Sequence, residues 1–313
     1  MSIPARYRPR RLAAALTMSA VTFLAGCEDG APTTAAVGGL AILSGDVGET
    51  RLTIHPSSGD GPREVDAPDR ATAWISGAPG GVVVATLADG RLAVGGVADG
   101  TSGWRYLEPT GDEQPAGSLL FGTASPNGER IAALTLGAAG QFGVAIREAA
   151  SGASVVFPIE GEPVLTGPAW IDEDRVAVVV VDADVGGAIS IADVGPGEVT
   201  GGPGNVRALA VSADGSTVVW VSSVDTRLYG SNTSSWLAGQ EIAALPVDAP
   251  AADVRPGSFA LDAEGSRLAV VWELADGRVH QIGIHRRTSD GWTLGARVDP
   301  PGGDPRAVVS WLR

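Results

Sequence analysis

The chain has no lysine, one cysteine and three histidines among its 313 residues, and only 5% of it is aromatic. A single thiol excludes a disulfide framework and any cysteine-built zinc site. No apolar run reaches the roughly 20 residues that a membrane-spanning helix needs, the longest, near the N-terminus, having about 15. Basic residues are in the minority, 22 arginines against 36 acids, which leaves a formal charge of −14. A surface that negative repels nucleic acid and anionic lipid headgroups, both of which require a positive patch, so no nucleic-acid partner is expected. The use of arginine throughout reads as GC-rich coding and carries no mechanism.

Enzyme signatures are missing as well. There is no G-x-S-x-G, no H-E-x-x-H and no glycine-rich phosphate loop leading into a helix. His280 and His285 are five apart in one strand-like segment, which puts them on opposite faces and argues against a shared metal. His55 stands alone. Asp182, Asp184 and Asp193 fall at calcium-loop spacing, but Gly186 stands at the fifth position and the segment reads as a hairpin, so solvated turns explain these acids. No metal, no cofactor and no catalysis are expected.

What is abundant is glycine, 44 residues, about double the usual frequency of roughly 7%. It sits mostly in turns between short runs of Val, Ile, Leu and Ala. VSADGSTVVWV (Val211 to Val221) is one such unit, and ISGAPGGVVVATL, ASPNGERIAALTL, WIDEDRVAVVVV and LDAEGSRLAVVWE repeat it. In each, a Ser, Pro, Asp, Asn or Gly turn leads into a buried strand. The first apolar residues after the turns are Val82, Ile131, Val176, Val218 and Leu268, spaced by 49, 45, 42 and 50 residues. A period of that size means a propeller or a solenoid.

Residues 38 to 313 divided by the mean period of 46.5 give 5.9 repeats. The fold predicted is all-β, a six-bladed β-propeller with four strands to a blade, with seven blades as the alternative. Ring closure is predicted too. The last segment, PRAVVSWLR (Pro305 to Arg313), matches the strand that precedes the turn elsewhere and stops where GLAILSG (Gly39 to Gly45) should continue. One blade would then combine both ends of the chain and remove an exposed sheet edge. The blades expected are 39 to 66 with 305 to 313, then 69 to 110, 116 to 160, 163 to 199, 204 to 249 and 254 to 300.

The first 26 residues read as an export signal: Arg6, Arg8, Arg10 and Arg11, then an apolar stretch from Leu12 to Leu24, then a small-residue cleavage site. The residues flanking Arg10-Arg11 fit a twin-arginine signal poorly, so ordinary export is expected. Removing these four arginines takes the formal charge from −14 to −18. Cleavage falls between Gly26 and Cys27, and Leu24-Ala25-Gly26-Cys27 resembles the bacterial lipobox, whose cysteine is diacylated. Two acyl chains anchor stably where one is marginal. Residues 27 to 37, small and polar, form a tether, so the membrane is reached by the lipid anchor alone.

Two stretches outside the repeat, Asp99 to Pro115 and Leu228 to Gln240, place aromatics among Gly and Ser in what read as loops. Rigid scaffolds carry recognition on loops, which makes Trp104, Tyr106, Tyr229 and Trp236 the candidate binding residues. Trp74, Trp170 and Trp311 stand just before the turn at equivalent places and read as blade-to-blade packing.

SADGSTVVWV and ASPNGERIAAL resemble the repeat of TolB-like propellers, whose blades carry a Ser-Pro-Asp-Gly turn before an apolar strand. LTGPAWIDEDRVAVVVV, VRALAVSADGSTVVWV and SFALDAEGSRLAVVWELADGRVHQIGIHRR are similar to the propeller of LpqB-type actinobacterial lipoproteins, a resemblance that extends to the lipobox. That family implies an anchored envelope protein working by protein contact, with a link to a two-component sensor kinase. The family carries further domains between lipid and propeller where this chain has about ten residues, so contacts made by those domains do not transfer. The expectation is a monomeric module on the extracytoplasmic face of the cell membrane whose partner is an envelope protein or cell-wall component. Two alternatives stand: a propeller hydrolase or lyase, marked by His and carboxylates converging at the pore mouth, and a small-ligand sensor, marked by a channel with polar inward residues.

Overall fold

The computed structural model describes residues 39–46, 48–97, 103–107, 119–136, 142–164, 166–181, 187–238, 245–299 and 306–313. Cys27, the export signal and the tether lie outside them, as do Asp182 and Asp184.

Six antiparallel four-stranded sheets form the blades. Blade 1 holds β1 (Gly39–Ser44), β2 (Arg51–Pro56) and β3 (Arg63–Val65). Blade 2 holds β4 (Thr72–Ala78), β5 (Val82–Leu87), β6 (Leu92–Gly96) and β7 (Gly103–Leu107). Blade 3 is β8 (Leu119–Ala124), β9 (Arg130–Leu136), β10 (Phe142–Glu148) and β11 (Ser154–Pro158). In blade 4 the strands are β12 (Ala169–Trp170), β13 (Arg175–Val180), β14 (Ala188–Asp193) and β15 (Glu198–Gly204). Blade 5 has β16 (Val206–Val211), β17 (Thr217–Ser222), β18 (Leu228–Asn232) and β19 (Leu245–Pro246), with one short helix, α1 (Thr233–Leu237), after β18. Blade 6 is β20 (Arg255–Leu261), β21 (Arg267–Glu273), β22 (Val279–Arg287) and β23 (Trp292–Val298). The final strand, β24 (Ala307–Leu312), returns to blade 1 and pairs with β1 from Gly39↔Leu312 to Ser44↔Ala307. The count of six and the mixed first blade agree with the sequence.

The second strand of each blade explains the unbroken apolar runs. It is buried on both faces, so side chains of either parity meet a neighbouring blade. In β13, Val176, Val178 and Val180 pack toward blade 3, while Ala177 and Val179 pack toward blade 5. In β21, Leu268, Val270 and Trp272 face blade 5, and Ala269 and Val271 face blade 1. Each fully buried Val, Leu or Ile contributes about 1.5–3 kcal/mol over an exposed one, and with no disulfide this packing holds the ring.

The repeated turn has one chemistry. Ser125, Ser212 and Asp262 each donate their N–H to the carbonyl that closes the hairpin, that of Arg130, Thr217 or Arg267, and accept at their own carbonyl from a glycine three residues on, Gly128, Gly215 or Gly265. Gly215 adopts φ 70°, which side chains rarely take, and a Cβ there would lie 2.7 Å from the Ile171 carbonyl of blade 4. Its want of a side chain thus serves both the turn and the docking of one blade's turn on the next. The Asp172 hairpin is shorter and has no glycine, and there the Asp172 carboxylate takes the Asp174 and Arg175 amides instead.

Blade 4 departs from its expected boundary of 199. Gly201 to Gly204, a glycine-proline stretch that reads as a turn, continues β15 and pairs Gly204 with Ala188. It lies on the outermost strand, where proline's missing N–H costs no ladder bond.

Candidate functional site

The first strand of every blade lies at the ring's centre, and together these strands wall a cavity of about 380 Å³ along the axis. Neighbouring inner strands are stitched by polar side chains. Gly77 N–H donates to Ser310 Oγ at 2.7 Å and Val309 N–H to Ser258 Oγ at 3.2 Å, while Gly122 N–H reaches past the inner strand of blade 2 to Thr86 Oγ1 on β5 at 2.8 Å. Two indoles do the same, Trp170 Nε1 to Thr123 O and Trp311 Nε1 to Ala260 O, both at 3.0 Å. Trp170 and Trp311 therefore pack between blades at equivalent positions, as expected.

Trp74 does not share that position. The place matching Trp311 in blade 2 is Gly77, where a Cβ would stand 1.9 Å from Trp311 O. Trp74 lies three residues before Gly77 in an unbroken register, so strand alternation puts it on the opposite face of β4, edge-on to Phe121 of blade 3 with ring centroids 5.2 Å apart. Its Nε1 is buried without a hydrogen-bond partner. Phe121 sits in a bulge between Leu120 and Thr123 at φ 57°, a conformation that costs a non-glycine residue about 1–3 kcal/mol and gathers at binding sites.

The charged groups on the wall are Glu273, Arg306 and Arg313. Arg306 precedes β24 and Arg313 follows it, so they stand at opposite ends of the channel, about 20 Å apart at roughly 3.3 Å per residue. At the first end, burial pushes the Glu273 carboxyl above its usual range, against the pull of Arg255, at 3.8 Å, and of Arg306. At the other, Arg313 Nη2 donates to Gly77 O at 2.8 Å and Ala124 O at 3.4 Å, tying blade 1 to blades 2 and 3. Burial lowers the Arg313 guanidinium to about 10, partly offset by Glu173. Glu173 is itself raised by burial, does not line the cavity, and has a buried Oε2 with no donor.

The four aromatics chosen from the sequence lie elsewhere, and not in loops. Trp104 and Tyr106 belong to β7, the outer strand of blade 2, and brace blade 1: Trp104 Nε1 donates to Asp66 O and Tyr106 OH to Pro68 O, each at 2.8 Å. The Arg91 guanidinium covers the Tyr106 ring at 4.9 Å. Tyr229 is on β18, its hydroxyl donating to Asp225 Oδ2 at 2.5 Å. Trp236 is in α1, buried against the core between blades 4 and 5 with Trp220 6.0 Å away. The loop placement is corrected for a physical reason: Gly103–Leu107 pairs with β6 as the outer strand of blade 2, and Leu228–Asn232 pairs on both sides as the third strand of blade 5 before the chain turns into α1. None of the four lines the channel.

The histidines do not converge on the channel. His280 is exposed, whereas His285 is fully buried and accepts from Trp272 Nε1 at 3.2 Å. Among the described residues no three His, Cys, Asp or Glu side chains are grouped to hold a metal, and no helix is long and apolar enough to cross a membrane. Sequence reasoning missed Arg313, Arg306, Glu273 and Phe121. An arginine directly after the last apolar inner strand was the one legible signal.

Fold and channel together define a closed six-bladed propeller. No protein-family model matches the chain, and no curated protein matches it in sequence. Solved structures do. TolB from Acinetobacter baumannii superposes with a TM-score of 0.61 at 14% identity over 88% of this chain and 66% of that one, just under two thirds of its length. A putative TolB from Agrobacterium tumefaciens gives 0.57 at 15% identity over 88% and 99%. The Cps50 (Swd1) β-propeller domain of Myceliophteria thermophila gives 0.51 at 13% over 83% of each chain. At these identities the likeness is one of fold.

Proposed function

We propose that this protein is an exported propeller, held by diacyl lipid on Cys27 at the outer side of the cell membrane, that binds another envelope protein or a cell-wall component and carries out no reaction. The observation that carries the reading is the joining of Leu24-Ala25-Gly26-Cys27, by a tether of about ten residues, to a closed and rigid propeller. A body fixed this near the bilayer reaches partners at the membrane surface and little else. The resemblance to LpqB-type lipoproteins supports an anchored role, and the fold shared with TolB structures supports a binding one.

The test compares the native protein with a Cys27→Ala form exported by a non-lipoprotein signal. Detergent phase partition reads the anchor, and crosslinking in cells reads the partner. The reading expects the native form alone in the detergent phase and a partner crosslinked to it that the soluble form loses. Equal partition of both forms refutes the anchor. Anchoring without any crosslinked protein or wall fragment refutes the binding role and turns attention to hydrolase assays.

A further inference from the structure

The axial cavity is large enough for a small molecule, and the charged groups on its wall are unevenly matched. About 380 Å³ lies within the roughly 300–1,000 Å³ of small-molecule pockets. Its bias is toward donors. Two arginines and one glutamate line it, and the glutamate already has Arg255 at 3.8 Å. Arg313 makes no ion pair among the described residues; its side-chain hydrogen bonds run from Nη2 to two carbonyls. A guanidinium carries five N–H donors, so Nε and Nη1 remain for something in the channel. Trp74 Nε1 is a further buried donor without an acceptor.

The geometry sets a length. Arg313 is held by the carbonyls of Gly77 and Ala124, each three residues along its strand from Trp74 and Phe121. Three residues of strand span about 10 Å. The edge-to-face aromatic pair thus stands about 10 Å up the channel from the guanidinium, and Ala208 and Ala210 leave the facing wall open.

We propose that the channel binds a small molecule with an aromatic or apolar body about two rings long and one acid group, the acid received by Arg313 and the body resting on Trp74 and Phe121. Arg313 suits a carboxylate, sulfonate or phosphate alike, because its positive charge and the donors left on Nε and Nη1 can each meet an anionic oxygen. Glu173 does not line the cavity and opposes the acid only from behind the wall. The inference does not depend on the lipid anchor or on an envelope partner.

The probes are 8-anilinonaphthalene-1-sulfonate and N-phenyl-1-naphthylamine, the same rings without the acid, titrated by fluorescence into the secreted Cys27→Ala chain. The site predicts one saturable equivalent of the sulfonate, bound at least about tenfold more tightly than the neutral dye. Arg313→Gln should erase that preference, Arg313→Lys should keep part of it, and Ala210→Phe should block both dyes. Thermal melts show which variants fold. Equal affinity for the two dyes in the native sequence overturns the proposal, as does unsaturable binding, a folded Arg313→Gln with unchanged sulfonate affinity, or a folded Ala210→Phe that still binds. The first two readings need no variant, so a misfolded Arg313→Gln leaves the proposal open to refutation.

Discussion

Asp262 is 2% exposed and makes four bonds to its own hairpin: Oδ1 takes the Ser266 and Arg267 amides at 2.7 and 2.9 Å, Oδ2 the Ser266 hydroxyl and Arg267 Nε at 2.9 and 2.8 Å. Asp262→Ala orphans buried donors, and bonds to a charged group contribute about 1.5–3 kcal/mol each before relaxation, so urea denaturation should show a loss of about 3 kcal/mol. Asp276 makes a similar Arg278 contact at the surface, and its alanine variant should leave the midpoint unmoved. His285 sets a pH dependence. Burial lowers it from 6.5 to about 4, so below pH 6.5 the unfolded chain takes up a proton that the folded one refuses. Stability from this group is full above 6.5 and falls as pH drops toward 4, by about 3 kcal/mol in all. His285→Gln keeps an acceptor for Trp272 Nε1 and removes the titration. Its stability deficit at pH 7 should therefore shrink or reverse by pH 4.5 in parallel urea titrations.

At the scale of strands and blades, the tightest joint is Gly77 against β24. Gly77→Ala places a methyl 1.9 Å from a main-chain carbonyl that cannot swing aside, so blades 1 and 2 must part. Overpacking of this kind costs about 3 kcal/mol, and a thermal melt of the variant should fall accordingly, whereas Gly96→Ala, with open space around its Cβ, should melt as the native protein does. Turn plus apolar run was legible because the second strand is buried on both faces, and Ala177 or Val219 needs no partner of its own parity to read as strand. The inner strands were not. β12 is two residues long, and bulges in β4, β8, β16 and β20 reset the alternation, so no count from the turn reveals that Phe121 faces the wall. The third and fourth strands misled for the opposite reason: Trp104 and Tyr229 sit among glycines and serines that pair with a neighbouring strand despite their composition.

The whole molecule is a ring closed by one register, Gly39↔Leu312 through Ser44↔Ala307, in the place where every other blade has a hairpin. A circular permutant that joins Arg313 to Gly39 through a short Asp-Asn-Gly turn and opens at the exposed Asp276-Gly277 turn should therefore fold with a near-native melting profile. Cutting inside β21 instead should not yield a folded ring. Net charge acts at this scale as well: residues 27–313, with a formal charge of −18, should meet a basic partner faster at low salt than at physiological ionic strength, a dependence stopped-flow mixing reads directly.

The same closure decides how the molecule bears load. β1 is bonded on one side to β24 and on the other to β2, so tension drawn through the segment before Gly39 runs along the strand and must break both ladders together in shear, instead of peeling them bond by bond. A propeller tethered at that point gives way at high force and in one step, which optical-tweezer extension from residue 38 would record as a single rip, and until that rip the ring turns a pull on its tether into a squeeze between its first and last strands.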